Sequence, residues 1–108
     1  MTNVRPRVKA PKSVSAGEVF EVKTLVRHPM ETGNRKDKDG NAIPRDILHS
    51  FVCKVNDIEV LRSKWGASIS ANPYFAFSLK LETTSKVEFS WMDDHGETYL
   101  DTKTIEVV

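Results

Sequence analysis

Asn72-Pro73-Tyr74-Phe75-Ala76-Phe77-Ser78-Leu79-Lys80-Leu81 is the stretch on which the fold turns. Phe75, Phe77, Leu79 and Leu81 fall on one side, and Tyr74, Ala76, Ser78 and Lys80 on the other. That period of two predicts a strand with one buried face, opened by the turn signal Asn72-Pro73. Downstream, Val87, Phe89 and Trp91 alternate with Glu88, Ser90 and Met92 in the same way. Asp93-Asp94-His95-Gly96 then reads as a turn with glycine in its last position. Thr98 to Val108 predicts a closing strand, with Ile105 and Val107 on one face.

Working upstream, Ile58 to Trp65 and Asp46 to Val55 read as the two arms of a hairpin turned at Asn56-Asp57. The first arm is ambiguous. Ile47, Leu48, Phe51, Val52 and Val55 fit a helical stripe, whereas Ile47, His49, Phe51, Cys53 and Val55 fit one strand face. Phe-Val-Cys-Lys-Val is rich in strand formers, which decides for strand. Val19 to His28 is a further strand, with Phe20, Val22, Thr24 and Val26 on its more apolar face. Its other face carries Glu21, Lys23 and Arg27 but also Val19 and Leu25, and is expected to be partly covered. Ser15 to Glu18 is a turn, and Arg7-Val8-Lys9, between two prolines, is an edge strand. The pattern predicts an all-β chain: an Ig-like antiparallel β-sandwich of about seven strands without the Ig cysteine pair, one domain over residues 1–108.

Composition agrees with a soluble globular domain. The chain has 108 residues, 39% hydrophobic and 29% charged, with 16 Lys+Arg against 15 Asp+Glu and a net charge of +1. Such a domain buries roughly two-thirds of its unfolded-chain surface and needs no metal or disulfide to fold. Near-neutral charge argues against a dedicated nucleic-acid binder. No stretch resembles a secretory signal or approaches the ~20 apolar residues of a membrane span.

The single cysteine, Cys53, lies mid-strand beside Phe51 and Val55, where a thiol packs as a small hydrophobe; a carrier thiol needs access and a lowered pKa. No phosphate-cradling glycine loop, His-Glu-x-x-His or Gly-x-Ser-x-Gly is present, so no catalytic residues, cofactor or metal are assigned. Asp37-Lys38-Asp39-Gly40 is similar to a calcium loop. However, Arg35 falls where the first oxygen ligand is required, so a solvated turn is expected. His28-x-Met30 and Met92-x-x-His95 offer imidazole and thioether ligands of the kind Cu(I) takes, provided the two pairs meet. Pro29 to Arg45 is too long for a simple connection and is expected to form a hairpin around Lys38 to Asn41. Tyr74 and Trp65 are candidate exposed anchors for an interface.

Several motifs together resemble the SoxZ family. They are Pro6-Arg-Val-Lys-Ala-Pro11, Ser15-Ala-Gly-Glu18, Leu25-Val-Arg-His-Pro-Met-Glu31, Gly33-Asn-Arg-Lys-Asp-Lys-Asp-Gly40, Ile43-Pro-Arg45, Phe51-Val-Cys53, Ile69-Ser-Ala-Asn-Pro-Tyr-Phe75 and Phe89-Ser-Trp-Met-Asp-Asp94. The resemblance runs from Pro6 to Val108. It implies an Ig-like sandwich that pairs as a heterodimer with SoxY, whose Gly-rich C-terminal arm holds sulfur intermediates on a cysteine during periplasmic thiosulfate oxidation. It also implies export in company with a signal-bearing SoxY, and transient contacts with other Sox enzymes. This chain ends on a strand without a Gly-Gly-Cys-Gly arm, so it is expected to be a non-catalytic, non-carrier subunit.

The residues themselves, rather than the resemblance, suggest where partners bind. Candidates are Val19, Leu25, Asn72 and Tyr74 for SoxY, and the loop with His28, Met30, Arg35, Lys36 and Ile43 for SoxY or the enzymes. Without its partner, such a chain could self-associate as a homodimer. The rival readings are an unrelated Ig-like recognition module and a copper-binding periplasmic protein.

Overall fold

A computed structural model describes residues 5–66, 68–69 and 71–108. Residues 1–4 of the basic N-terminal stretch, Ala67, and Ser70 of the Ile69–Phe75 motif lie outside the described residues. Among the described residues there are eight strands and no helix: β1 (Pro6–Lys9), β2 (Ser13–Val14), β3 (Val19–Val26), β4 (Leu48–Val55), β5 (Ile58–Lys64), β6 (Tyr74–Lys80), β7 (Ser85–Asp93) and β8 (Thr98–Val107). They form a three-stranded sheet, β1-β3-β6, and a five-stranded sheet, β2-β8-β7-β4-β5. The β-sandwich read from the sequence is thus the observed architecture. The added strand is the two-residue β2, which pairs parallel with β8; two residues leave no alternation for sequence to show.

The core is the meeting of two alternating faces. Phe20, Val22 and Val26 of β3 face Phe51 and Cys53 of β4, Val87, Phe89 and Trp91 of β7, and Ile105 of β8. Phe51 is the hub, with ring centroids 5.2–6.2 Å from Trp91, Phe75, Phe77 and Trp65. Thr24, the one polar residue on the inner face of β3, is buried. Its hydroxyl donates to the Phe75 carbonyl across the β3–β6 pair at 2.7 Å, so its burial leaves nothing unpaired.

Two expectations need correction. The assignment of one β4 face running from Ile47 through Val55 fails at its start. A register irregularity between Leu48 and Ser50 in the β4–β7 pairing changes which side each residue faces. Ile47 and Leu48 are both fully buried as a result, while His49 is only half-buried. Trp65 is not an exposed anchor. It is half-buried, stacks on Phe51 at 11°, and donates its indole N–H to Ser63 Oγ at 2.9 Å.

The turns follow local chemistry. Asn56 and Asp57 both have positive φ, 50° and 69°, as a two-residue type I′ hairpin requires. The Asn56 side chain accepts the Lys86 N–H and so ties the hairpin to β7. The long insert does form a hairpin. Ile43 N–H donates to Arg35 O, Asp37 N–H to Asn41 O and Gly40 N–H to Asp37 O. Its base is closed by a bridge between Glu31 and Asp46 and by Arg45 gripping Asp94 with two hydrogen bonds of 2.9 Å. Gly33 sits there at φ 88°, and a Cβ added to it would lie 3.4 Å from that of Arg45.

Candidate functional site

At one end of the sandwich the chain brings together residues far apart in sequence. His28 leaves β3 and is buried, 1% exposed. Asn72 holds it twice: its N–H donates to His28 O at 2.7 Å, and its Oδ1 accepts the His28 N–H at 2.9 Å. Asn72 adopts φ 53°, a left-handed conformation that asparagine tolerates well. His28 Nδ1 in turn accepts the Met30 N–H at 2.9 Å. Neutral His28 therefore carries its proton on Nε2. That Nε2 lies 3.9 Å from Asp46 Oδ1, and His95 Nε2 lies 3.5 Å from the same oxygen. Asp46 Oδ1 is buried without a hydrogen-bond partner among the described residues.

Asp93 completes the junction. Its Oδ1 accepts the N–H groups of His95 and Glu97, and its Oδ2 accepts the Tyr99 hydroxyl, all at 2.9 Å. Burial pushes its pKa up, but these hydrogen bonds from Glu97, Tyr99 and His95 outweigh burial and hold it below the ordinary value. Burial, then the Asp93 hydrogen bond, raises Tyr99 to about 12. For His28 burial dominates over the nearby carboxylates of Asp46, Asp93 and Asp94, and its pKa is lowered.

His28, Asp46 and Asp93 present ligand-type atoms within 4.8 Å of one another. Their hydrogen bonding opposes a metal centre. Both Asp93 oxygens are engaged, and Nε2 of His28 offers a lone pair only if it gives up its proton while Nδ1 still accepts. The histidines of the two His/Met pairs do converge, on Asp46. The thioethers do not: Met30 Sδ accepts the Leu48 N–H at 3.3 Å, while Met92 lies on the side of β7 opposite the core residue Trp91, across from Ser50 and Thr98. The cluster is a packed hydrogen-bonded junction that fixes the base of the hairpin. Asp46 and Asp93, its centre, had no marker in the sequence beyond being carboxylates near turns.

The expected contact residues divide by exposure. Val19, Leu25 and Tyr74 are exposed, at 65%, 43% and 60%, on the outer face of the three-stranded sheet, which the described residues of this chain leave uncovered. Leu25 stands directly opposite Tyr74. Asn72 is exposed two residues before Tyr74, ahead of β6. On the hairpin, Lys36 is exposed, Ile43 half-buried, and Arg35 exposed but engaged with the Glu31 carboxylate. His28 and Met30, expected at a contact surface, are interior instead, because each serves the backbone of the hairpin base. Cys53 is fully buried, and burial raises its thiol to about 12.

Comparison with known proteins gives this geometry a family. The family model described as "Sulphur oxidation protein SoxZ" matches residues 8–104. The chain belongs to the SoxZ family. It is, at that level, a sulfur-oxidation protein, and the motifs spread from Pro6 to Val108 are the residues that signalled it. No curated protein matches the chain. Among solved structures it is similar to superoxide reductase (neelaredoxin) from Ignicoccus hospitalis, with TM-score 0.76 and 20% identity over 95% of this chain and 80% of that one. A single-site variant of that reductase is equally similar in shape, with TM-score 0.76 and 19% identity over 95% and 79% of the two chains. At such identity the likeness concerns the fold alone.

Proposed function

We propose that this SoxZ-family chain is the non-catalytic, non-carrier subunit of a SoxYZ-type complex, binding a SoxY-type chain and helping present that partner's cysteine arm to the thiosulfate-oxidation enzymes. The state of Cys53 supports this most directly. It is the chain's one cysteine, it lies fully inside the core, and its thiol is raised to about 12. A covalent sulfur carrier needs an accessible thiolate, which a second chain must then supply. Val19, Leu25, Asn72 and Tyr74 are the surface assigned to SoxY, and the hairpin with Arg35, Lys36 and Ile43 is the element assigned to SoxY or the enzymes. The proposed setting is the periplasm, reached by export together with a signal-bearing partner.

Co-expression with the SoxY-type chain of the same source tests the reading. One stoichiometric species on gel filtration is the expected result, and separate peaks at about micromolar concentration, a range weak transient pairs already reach, would sink it. Within the complex, a thiol reagent should label the partner's arm cysteine rapidly and Cys53 only after denaturation.

A further inference from the structure

We infer that the outer face of the three-stranded sheet docks an acidic protein surface, its carboxylates received by Arg5, Arg7 and Arg27 and an apolar side chain by Leu25 and Tyr74. This rests on the reading of the chain as a partner-binding subunit, and it states the chemistry that the partner brings.

Strand register places the charges. Arg7 pairs with Leu25, and Leu25 with Tyr74, so one row crosses all three strands. Beyond the Pro6–Val26 pair the ladder continues through Arg27 N–H to Arg5 O at 3.5 Å. Arg5 and Arg27 are therefore cross-strand neighbours, and Arg7 lies two residues along on the same face. Like charges directly opposite one another destabilise a sheet. Among the described residues, none of the three has a carboxylate within 4.0 Å. Together with Leu25 and Asn72 they line an open cavity of about 360 Å³. A second, of about 380 Å³, adjoins it and is lined by Arg7, Leu25 and Tyr74 with Lys9 and Lys23.

The rest of the face has the same sign. Lys9, Lys23 and Lys80 point outward by strand alternation. Glu21 is the sole acid at an outward strand position, and it lies 3.5 Å from Lys23. This face thus carries six of the chain's 16 Lys and Arg against one outward-facing acid, although the net charge of the chain is only +1. Protection of an edge strand explains charges on β1 but not Arg27, which extends from the central strand β3. Arginine forks receive carboxylates in bidentate fashion, and Arg and Tyr are the residue types that anchor protein interfaces. A second copy of the chain is the wrong occupant, since it would set this cationic face against itself. The exposed Leu25–Tyr74 pair beside the arginines favours a protein over a nucleic-acid backbone.

The test compares two charge reversals in the co-expressed complex, by calorimetry at about 50 and 300 mM NaCl, a range over which exposed charges become screened. R7E/R27E should weaken binding of the SoxY-type chain at least ~30-fold and flatten its salt dependence, whereas K54E/K64E on the larger sheet should stay within about threefold. Equal effects of the two pairs, or none from R7E/R27E, overturn the inference while leaving the complex itself established. R7Q/R27Q should fall between wild type and reversal, and unchanged melting of each free variant shows that it folds. If the wild-type chains do not bind at all, the function proposed above fails, and the face is judged by a glutamate-rich peptide with a central leucine. Amide NMR shifts gathered on Arg5–Lys9, Lys23–Arg27 and Tyr74 support it. Shifts gathered on the hairpin or the larger sheet, or tighter binding of a short DNA duplex at this face, overturn it.

Discussion

His28 combines three structural duties in one side chain. It is buried, it accepts the Met30 N–H, and it directs Nε2 toward Asp46. Protonating Nδ1 would set two donors against each other, and a buried imidazolium costs solvation besides. In the unfolded chain His28 takes up a proton near its ordinary 6.5; in the folded chain uptake waits for a lower pH. The unfolded state then binds more protons, so this contribution to stability is complete above 6.5 and declines as pH falls through the lowered folded value. Asp93 and Asp94 act with the same sign, but only below their ordinary 3.8. We expect the melting temperature to fall as pH drops from about 7.5 to about 5. H28N keeps an acceptor near Nδ1 without a titrating ring, so it should flatten that slope; an unchanged slope would place the titration elsewhere.

At the scale of elements, the turns are the parts where local chemistry decides most. Asn56-Asp57 was readable as a hairpin turn because asparagine and aspartate tolerate positive φ, and both adopt it. D57V forces a β-branched side chain into that region and should cost about 1–2 kcal/mol in denaturant unfolding. The exposed Lys86–Asp57 pair, 3.5 Å apart, contributes little of that. Asp37-Lys38-Asp39-Gly40, similar to a calcium loop in sequence, is the tip of the long hairpin, and Asp37 Oδ1 accepts the N–H groups of Asp39 and Asn41. The β4 face was less legible. A bulge depends on the partner strand's register, here that of β7, and alternation within β4 carries no trace of it.

For the whole molecule, stability converges on the aromatic cluster between the sheets. Phe51 is fully buried and meets four other rings. F51A should cost about 3–5 kcal/mol, a large part of the ~5–15 kcal/mol of a typical domain. A loss below about 1 kcal/mol would show that the neighbouring rings collapse into the space. Charge also takes on meaning at this scale. A net charge of +1 describes the chain, but it averages over a face where Arg5, Arg7, Lys9, Lys23, Arg27 and Lys80 gather and a junction where Asp46, Asp93 and Asp94 meet around His28.

By itself the sequence determined the alternation of β3, β6 and β7, the turns at Ser15–Glu18, Asn56-Asp57 and Asp93–Gly96, and the burial of Cys53. Each depends on side-chain period or on the backbone preference of one or two residues, and both are local quantities. Tertiary structure decided which strands became neighbours. His28 meets Asp46 and His95, and Arg5 meets Arg27, only through pairings between distant segments. No short window of sequence contains those distances, because they are set by how two sheets close over one shared core.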